Sequence, residues 1–440
     1  MNEKQYYHSV TLDRGKCVGC TNCLKRCPTE AIRIRGGRAR IVDEMCIDCG
    51  ECIRVCHHHA KVAVTDSFAT INLYKYRIAL PAPSLYGQFK NLNSISSIAG
   101  GLRRIGFDEV FDVARGAEIV AKEVRRKLAE PDCPRPLISS ACPAVVRLIQ
   151  VSFPELIDNI VDVRSPMEVA ATIARREFCE KTGADPEEVG CFFITPCAAK
   201  VTAIRKPIGH KKSALNGAIS MLEIYGLLSG QLRKVGEDEP GAMEPASPLG
   251  LGWARSGGEC ASIGAADEAL AVDGIDNVNS VLEAIENERM PQLRFFEGQA
   301  RDEGCIGGPI VFENAFIARN RIRALVQNLP AQKLDAVVSD QDMQRIGDDI
   351  HFDAEIESVD SLRLDTDFRA ALTKMDRIEE VRKKLPGLDC GSCGSPTCQA
   401  LAEDIVGGFA REMDCLFLLK EQVRLMARQM VDISEMTREK

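Results

Sequence analysis

Between residues 77 and 313 the chain alternates short apolar runs, RIALPAPSL, DEVFDVA, CFFIT and GPIVFE, with longer stretches such as MEVAATIARREFCEKTG, whose apolar residues return every three or four positions. The short runs predict strands and the long ones amphipathic helices, an alternation expected of parallel sheet covered by helices. Residues 234–252, KVGEDEPGAMEPASPLGLG, predict a surface loop. TDFRAALTKMDRIEEVRKKL predicts a helix that Pro386 and Gly387 end. Near the C-terminus, Leu416, Leu419, Val423, Met426, Met430 and Ile433 recur in steps of three and four. Such a seam either pairs with a second copy as a coiled coil, making a homodimer through this helix, or packs on its own domain.

At 440 residues the chain is long enough for two or three domains, and with 45% hydrophobic and 27% charged residues it reads as globular. No apolar run is long enough to span a membrane and the N-terminus carries no apolar signal region, so a cytoplasmic location is expected. A net charge of -8 argues against nucleic acid as a partner, because phosphate neutralisation needs clustered Lys and Arg. The nineteen cysteines change the picture more, since a reducing compartment makes metal binding their default use. Twelve of them fall in two groups, at 17–56 and 390–415. The expected division is therefore a head to residue 78, a central part 79–355, a helical linker 356–385 and a tail 386–440.

In the head, Cys17, Cys20, Cys23 and Cys27, followed by Pro28, form C-x2-C-x2-C-x3-C-P, and Cys46, Cys49, Cys52 and Cys56 repeat the spacing. Closely spaced cysteines in a tight loop aim thiolates at one cubane. The pattern resembles the two-cluster bacterial ferredoxins, in which the fourth cysteine of each run serves the other cluster. By that resemblance Cys17, Cys20, Cys23 and Cys56 hold one 4Fe-4S cluster, and Cys46, Cys49, Cys52 and Cys27 hold the second. His57 departs from the pattern, standing where a second proline is expected, and the His57–His59 run reads as a polar turn. Paired four-cysteine zinc sites are the rival reading.

Three central segments share one design. In SSACPAVVRLI, Cys142 stands between a strand-like approach, RPLISS, and a helix opened by Pro143. In CFFITPCAAKVTA, Cys197 follows an apolar strand and precedes a helix, and in EGCIGGPI, Cys305 sits in glycine-rich backbone. A thiolate at a helix N-terminus is favoured by the dipole, and strand ends of open α/β sheets are where ligands bind. These segments resemble the three signatures of the iron-only (FeFe) hydrogenase catalytic domain, T-S-C-C-P, M-P-C-x-x-K and E-x-M-A-C-x-x-G-C-x-x-G-G. The resemblance implies an α/β hydrogenase-like pair of lobes with an α+β two-cluster ferredoxin domain before it and a small, mostly helical 4Fe-4S domain after it. It also implies that Cys142 and Cys197 hold a core cubane, that Cys305 bridges it to a two-iron unit, and that Lys200 bonds an iron-bound cyanide. Two positions depart from the family. Arg301 stands where a cubane cysteine is expected, which makes Cys260, in WARSGGECASIG, the candidate replacement ligand against a reading as a buried small hydrophobe. Ala141 stands where catalytic members carry a proton-relaying cysteine, so turnover is expected to be slow. Cys133, Cys179 and Cys191 read as core, Glu118 as a solvated carboxylate and Trp253 as packing.

The tail gives C-x2-C-x4-C-x16-C at Cys390, Cys393, Cys398 and Cys415. It resembles the small 4Fe-4S domain of anaerobic electron-transfer and corrinoid iron–sulfur proteins, with zinc as the alternative. Together the parts resemble the sensory branch of the hydrogenase family. The resemblance implies slow reversible hydrogen oxidation or sensing, with electrons passed through 4Fe-4S clusters to a redox protein such as a ferredoxin or to a signalling partner. Hydrogenase maturation proteins become partners if the two-iron unit is inserted. The alternative is a non-catalytic electron-transfer or iron–sulfur scaffold protein without that unit.

Overall fold

In a computed structural model the described residues are 7–90, 92, 94–232, 246–265, 268–359 and 364–438. The chain divides into two compact units, a central one formed by residues 1–11, 47–50 and 63–359, and a second formed by 12–46, 51–62 and 360–440.

The second unit joins head and tail. Its head portion has the short helix α1 (Asn22–Lys25) and an antiparallel hairpin of β1 (Ile32–Arg35) and β2 (Arg38–Ile41), with Ile32 opposite Ile41. Its tail portion has three helices, α6 (Phe368–Lys384), α7 (Cys398–Val406) and α8 (Leu416–Arg438). Ile378 and Val381 of α6 are buried in one small core with Leu385, Leu401, Ala402 and Cys415. The seam of α8 does not pack on its own domain, since Leu416, Leu419, Val423, Met426, Met430 and Ile433 are all exposed.

The central unit carries two parallel sheets. β3 (Tyr76–Pro81), β4 (Glu109–Val110), β6 (Val189–Thr195) and β7 (Gly217–Ser220) lie in the order β4-β3-β6-β7. β5 (Leu137–Ile138), β8 (Ala269–Asp273) and β9 (Phe295–Gln299) lie in the order β8-β9-β5. These are the two lobes of the expected α/β pair. VGCFFIT is buried at all seven positions of β6, as a parallel strand covered on both faces must be. Helices α2 (Val113–Leu128), α3 (Pro143–Ser152), α4 (Pro166–Thr182) and α5 (Ala198–Arg205) follow strands or cover them.

Three expectations fail. GPIVFE forms a turn and bends rather than a strand. Pro309 offers no backbone donor, and the N–H groups of Phe312 and Glu313 donate to Gln88 Oε1 at 2.9 and 2.8 Å instead of to a neighbouring strand. Of the loop expected at 234–252, residues 234–245 lie outside the described residues, and Pro248–Gly252 form a short helix capped by the Ser247 hydroxyl. Glu118 is not solvated: it is 3% exposed on α2, and its Oε1 accepts from the Ser247 N–H at 2.7 Å.

Candidate metal centre

Each central candidate lies just after a parallel strand. Cys142 follows β5 and is the N-cap of α3, whose first residue is Pro143; Cys197 follows β6 and is the N-cap of α5; Cys305 follows β9. The glycines beside Cys305 let its loop come close. Gly304 has φ +66, and a Cβ there would stand 1.6 Å from Gln299 Oε1, while a Cβ on Gly308 would stand 2.2 Å from the Pro196 carbonyl oxygen in the Cys197 loop.

At the meeting point stands Arg301, 7% exposed, with Nη2 donating to Cys197 Sγ at 2.5 Å. Burial works against its charge, but the surrounding thiols of Cys197, Cys142, Cys305 and Cys49 outweigh burial and hold its proton more firmly. The Cys305 thiol is pushed up to about 11, first by burial and then by Cys197 and Cys142, with Lys200 and Arg301 pulling the other way. Cys142, Cys197, Cys305, Lys200 and Arg301 are therefore brought together. Cys260 is not brought to them. Its N–H donates to Glu297 Oε2 at 2.8 Å, its thiol is pushed up by burial and then by Glu297 and Glu259, and it belongs to the buried apolar core.

A cavity adjoins this group; Ala141, Lys200, Glu259, Gln299, Arg301 and Cys305 are among its walls. Lys200 Nζ donates to the Ala141 carbonyl oxygen at 3.1 Å. Ser139 Oγ lies 2.5 Å from Glu259 Oε2. Burial, then the neighbouring Glu297, keeps the Glu259 carboxyl protonated well above the usual carboxylate range. Glu297 is pushed up by burial too, although the N–H groups of Gly257 and Cys260 donate to it. Trp253 also lines the cavity rather than serving packing alone. Glu259, Glu297 and Gln299 were not singled out by sequence; the available signals were a carboxylate inside the apolar run FFEGQ and another in a glycine-flanked loop.

In the second unit the Cys23 thiol is raised by burial, lowered by Lys61 and raised again by Cys20, Cys56 and Cys17, which are therefore near enough to Cys23 to act on it. Lys61 is 2% exposed, and its Nζ has no hydrogen-bond partner. Cys27 Sγ accepts from the Ala31 N–H at 3.2 Å. Cys46 and Cys52 belong to this unit, whereas Cys49 lies in the central unit's 47–50 segment. In the tail, the Cys393 thiol is pushed up by burial and by the charges of Cys390 and Cys415, so these three face one another, and Cys398 opens α7. Cys390 is exposed, and its thiol is lowered by bonds from Ser392 and by Lys25.

Three family models match separate stretches of the chain. Residues 9–57 match a 4Fe-4S dicluster domain, 75–269 match the C-terminal domain of the iron-only hydrogenase large subunit, and 385–417 match an Fe-S cluster domain. The hydrogenase match stops before Arg301 and Cys305. Iron hydrogenase 1 of Clostridium pasteurianum is 26% identical over 45% of this chain and 40% of its own length. The probable cytosolic Fe-S cluster assembly factor oxy-4 of Caenorhabditis elegans is 28% identical over 35% of each chain. The chain thus matches less than half the length of these relatives. The structure of FeFe-hydrogenase HydA1 from Chlamydomonas reinhardtii shares the fold, with TM-score 0.51 and 17% identity over 64% of this chain and 94% of that one. No helix among the described residues is long and apolar enough to cross a membrane.

Proposed function

We propose that this chain, a divergent member of the iron-only hydrogenase family, is an iron–sulfur redox protein that senses or slowly oxidises hydrogen in its central unit and exchanges the electrons through 4Fe-4S clusters in its head and tail. The cavity beside Cys305 carries this reading. The buried ammonium of Lys200 faces this cavity next to the Cys305 thiol, an arrangement suited to holding an anionic ligand of a bound group there.

The residues do not fit the family's four-thiolate cubane, because the fourth corner is a guanidinium. Three thiols with Arg301 as counter-charge do fit a cluster with three protein sulfur ligands, Cys142, Cys197 and Cys305. A two-iron unit, when bound in the cavity, would supply the redox chemistry of hydrogen. The chain's own part is then to hold it by Cys305, to offer Lys200 Nζ as a donor to an anionic ligand, and to exclude water. Proton delivery is its weak point. Ala141 bears no transferable proton, and the Ser139 hydroxyl is committed to Glu259. Its partners on this reading are a ferredoxin-like redox protein or a signalling protein, together with the maturation proteins that insert the two-iron unit.

Arg301 favours a second reading, that of an electron-transfer or iron–sulfur scaffold protein without the two-iron unit. Infrared spectroscopy separates the two. After anaerobic incubation with a two-iron precursor, the first reading expects CO and cyanide bands in the protein fraction. Their absence from a protein with loaded head and tail clusters leaves the second.

A further inference from the structure

Within the second unit, tail and hairpin are joined by buried chemistry. Asp404 Oδ2 on α7 accepts from Arg33 Nε and Arg35 Nη2, both at 2.7 Å, and from Ser395 Oγ at 2.8 Å. Asp404 and Arg33 are each about 9% exposed or less, so neither charge is compensated by water. The main chains touch as well. The Ile34 N–H donates to the Gly394 carbonyl oxygen at 2.7 Å, and Gly394 has φ +82, where a Cβ would stand 2.1 Å from the Ile34 oxygen. Thr397 Oγ1 donates to Glu30 Oε2 at 3.0 Å.

These contacts set two cysteine groups side by side. Lys25 Nζ donates to the Asp389 carbonyl oxygen, one residue before Cys390. A Cβ built on Gly391 would meet Leu24 Cδ2 at 3.2 Å, and Leu24 is bonded to Cys23. The Leu24 and Lys25 side chains, next to Cys23 in the chain, therefore reach the Cys390 loop. Cys390 is the exposed cysteine of the tail group, whose Cys415 is buried, whereas in the head group Cys17, Cys23 and Cys56 are buried and Cys20 is partly buried.

We propose that the tail group of Cys390, Cys393, Cys398 and Cys415 is the chain's outer electron port, passing single electrons to and from the head group of Cys17, Cys20, Cys23 and Cys56. In the inward direction a reduced one-electron carrier of the iron–sulfur class is oxidised by one electron at the Cys390 edge and the tail cluster is reduced. The tail cluster is then reoxidised as the head cluster takes up the same electron. No bond forms or breaks and no proton moves. The inference rests on the reading of head and tail as redox clusters and is independent of what the central cavity holds.

The test is electron paramagnetic resonance of the fully reduced, iron-loaded full-length protein, paired with stopped-flow reduction by methyl viologen radical. Wild type should show magnetic splitting between tail and head signals. Asp404→Ala with unchanged iron should lose that splitting and reduce its head cluster at least tenfold more slowly. Lys25→Met, at an exposed position, should slow head reduction several-fold with iron unchanged, and it decides the matter if Asp404→Ala fails to fold. Unsplit signals in iron-replete wild type, or an unaltered head rate in Lys25→Met, overturn the port. Head or tail segments that bind no iron would instead overturn the redox reading on which it stands.

Discussion

At the scale of single residues, two buried cations decide how the thiol groups behave. Arg301 fills the position of a missing ligand with a charge of opposite sign, so Arg301→Cys should raise iron retained by the central unit and give a cluster resistant to chelator, as iron analysis and visible spectra would reveal. Equal iron in variant and wild type would mean that Arg301 does not limit binding. Lys61 acts in the head, where an unpaired ammonium beside Cys23, Cys27 and Cys56 stabilises added negative charge. Lys61→Met should lower the reduction potential of the head cluster by about 60 mV, roughly a tenfold shift for one electron. Redox titration checks it, and an unchanged potential would show that the charge is screened. The head cysteines were legible because their ligand spacing is local. The reach of Arg301 to Cys197 was not, because it depends on two loops far apart in sequence meeting after the sheets form.

At the scale of elements, the caps and strand ends that carry Cys142 and Cys197 could be read from apolar runs followed by Cys-Pro or Pro-Cys. What could not be read was burial on helices of mixed composition. At the N-cap and first turns of α2, Asp112 and Glu118 are buried although ARGAEIV carries two charged residues, and Gly116 lets the α4 helix approach until a Cβ there would stand 2.4 Å from the Pro166 oxygen. Asp112, the N-cap of α2, is raised by burial from 3.8 to about 7. Below about 3.8 the carboxyl is neutral in both folded and unfolded chains, and the penalty for ionising the folded form grows as pH rises to about 7. Asp112→Asn keeps a cap and removes that penalty. The variant should match wild type near pH 4 and gain on the order of 2–4 kcal/mol above pH 7, read as the urea midpoint of the central unit. A gain that did not change with pH would assign the effect to packing.

At the scale of the whole molecule, the two units differ in how much of their stability is apolar. The central unit has an extensive core on its four-stranded sheet, from Ile78 and Phe192 to Leu228, whereas the tail's buried core is six residues, one of them Cys415. A unit so small depends on what its cysteines bind. Anaerobic iron chelation should therefore expose residues 386–440 to protease while the central unit keeps its resistance. Equal resistance throughout would show that the tail folds without metal. The alternation of elements gave the class of the central fold correctly, but β7, β8 and β9 were missed: GAIS and ALAVD are short runs built mostly of small residues, and FFEGQ is broken by the buried Glu297.

The chain enters the second unit early, leaves it at residue 63 and returns only after 359. During synthesis from the N-terminus, everything the central unit requires has emerged before the tail is made. Until the last segment arrives, Arg33 and Arg35 have no Asp404 to meet, and the hairpin's docking edge waits uncovered. Translation itself thus imposes a sequence on maturation: the central unit can close first, and the tail docks on the hairpin last.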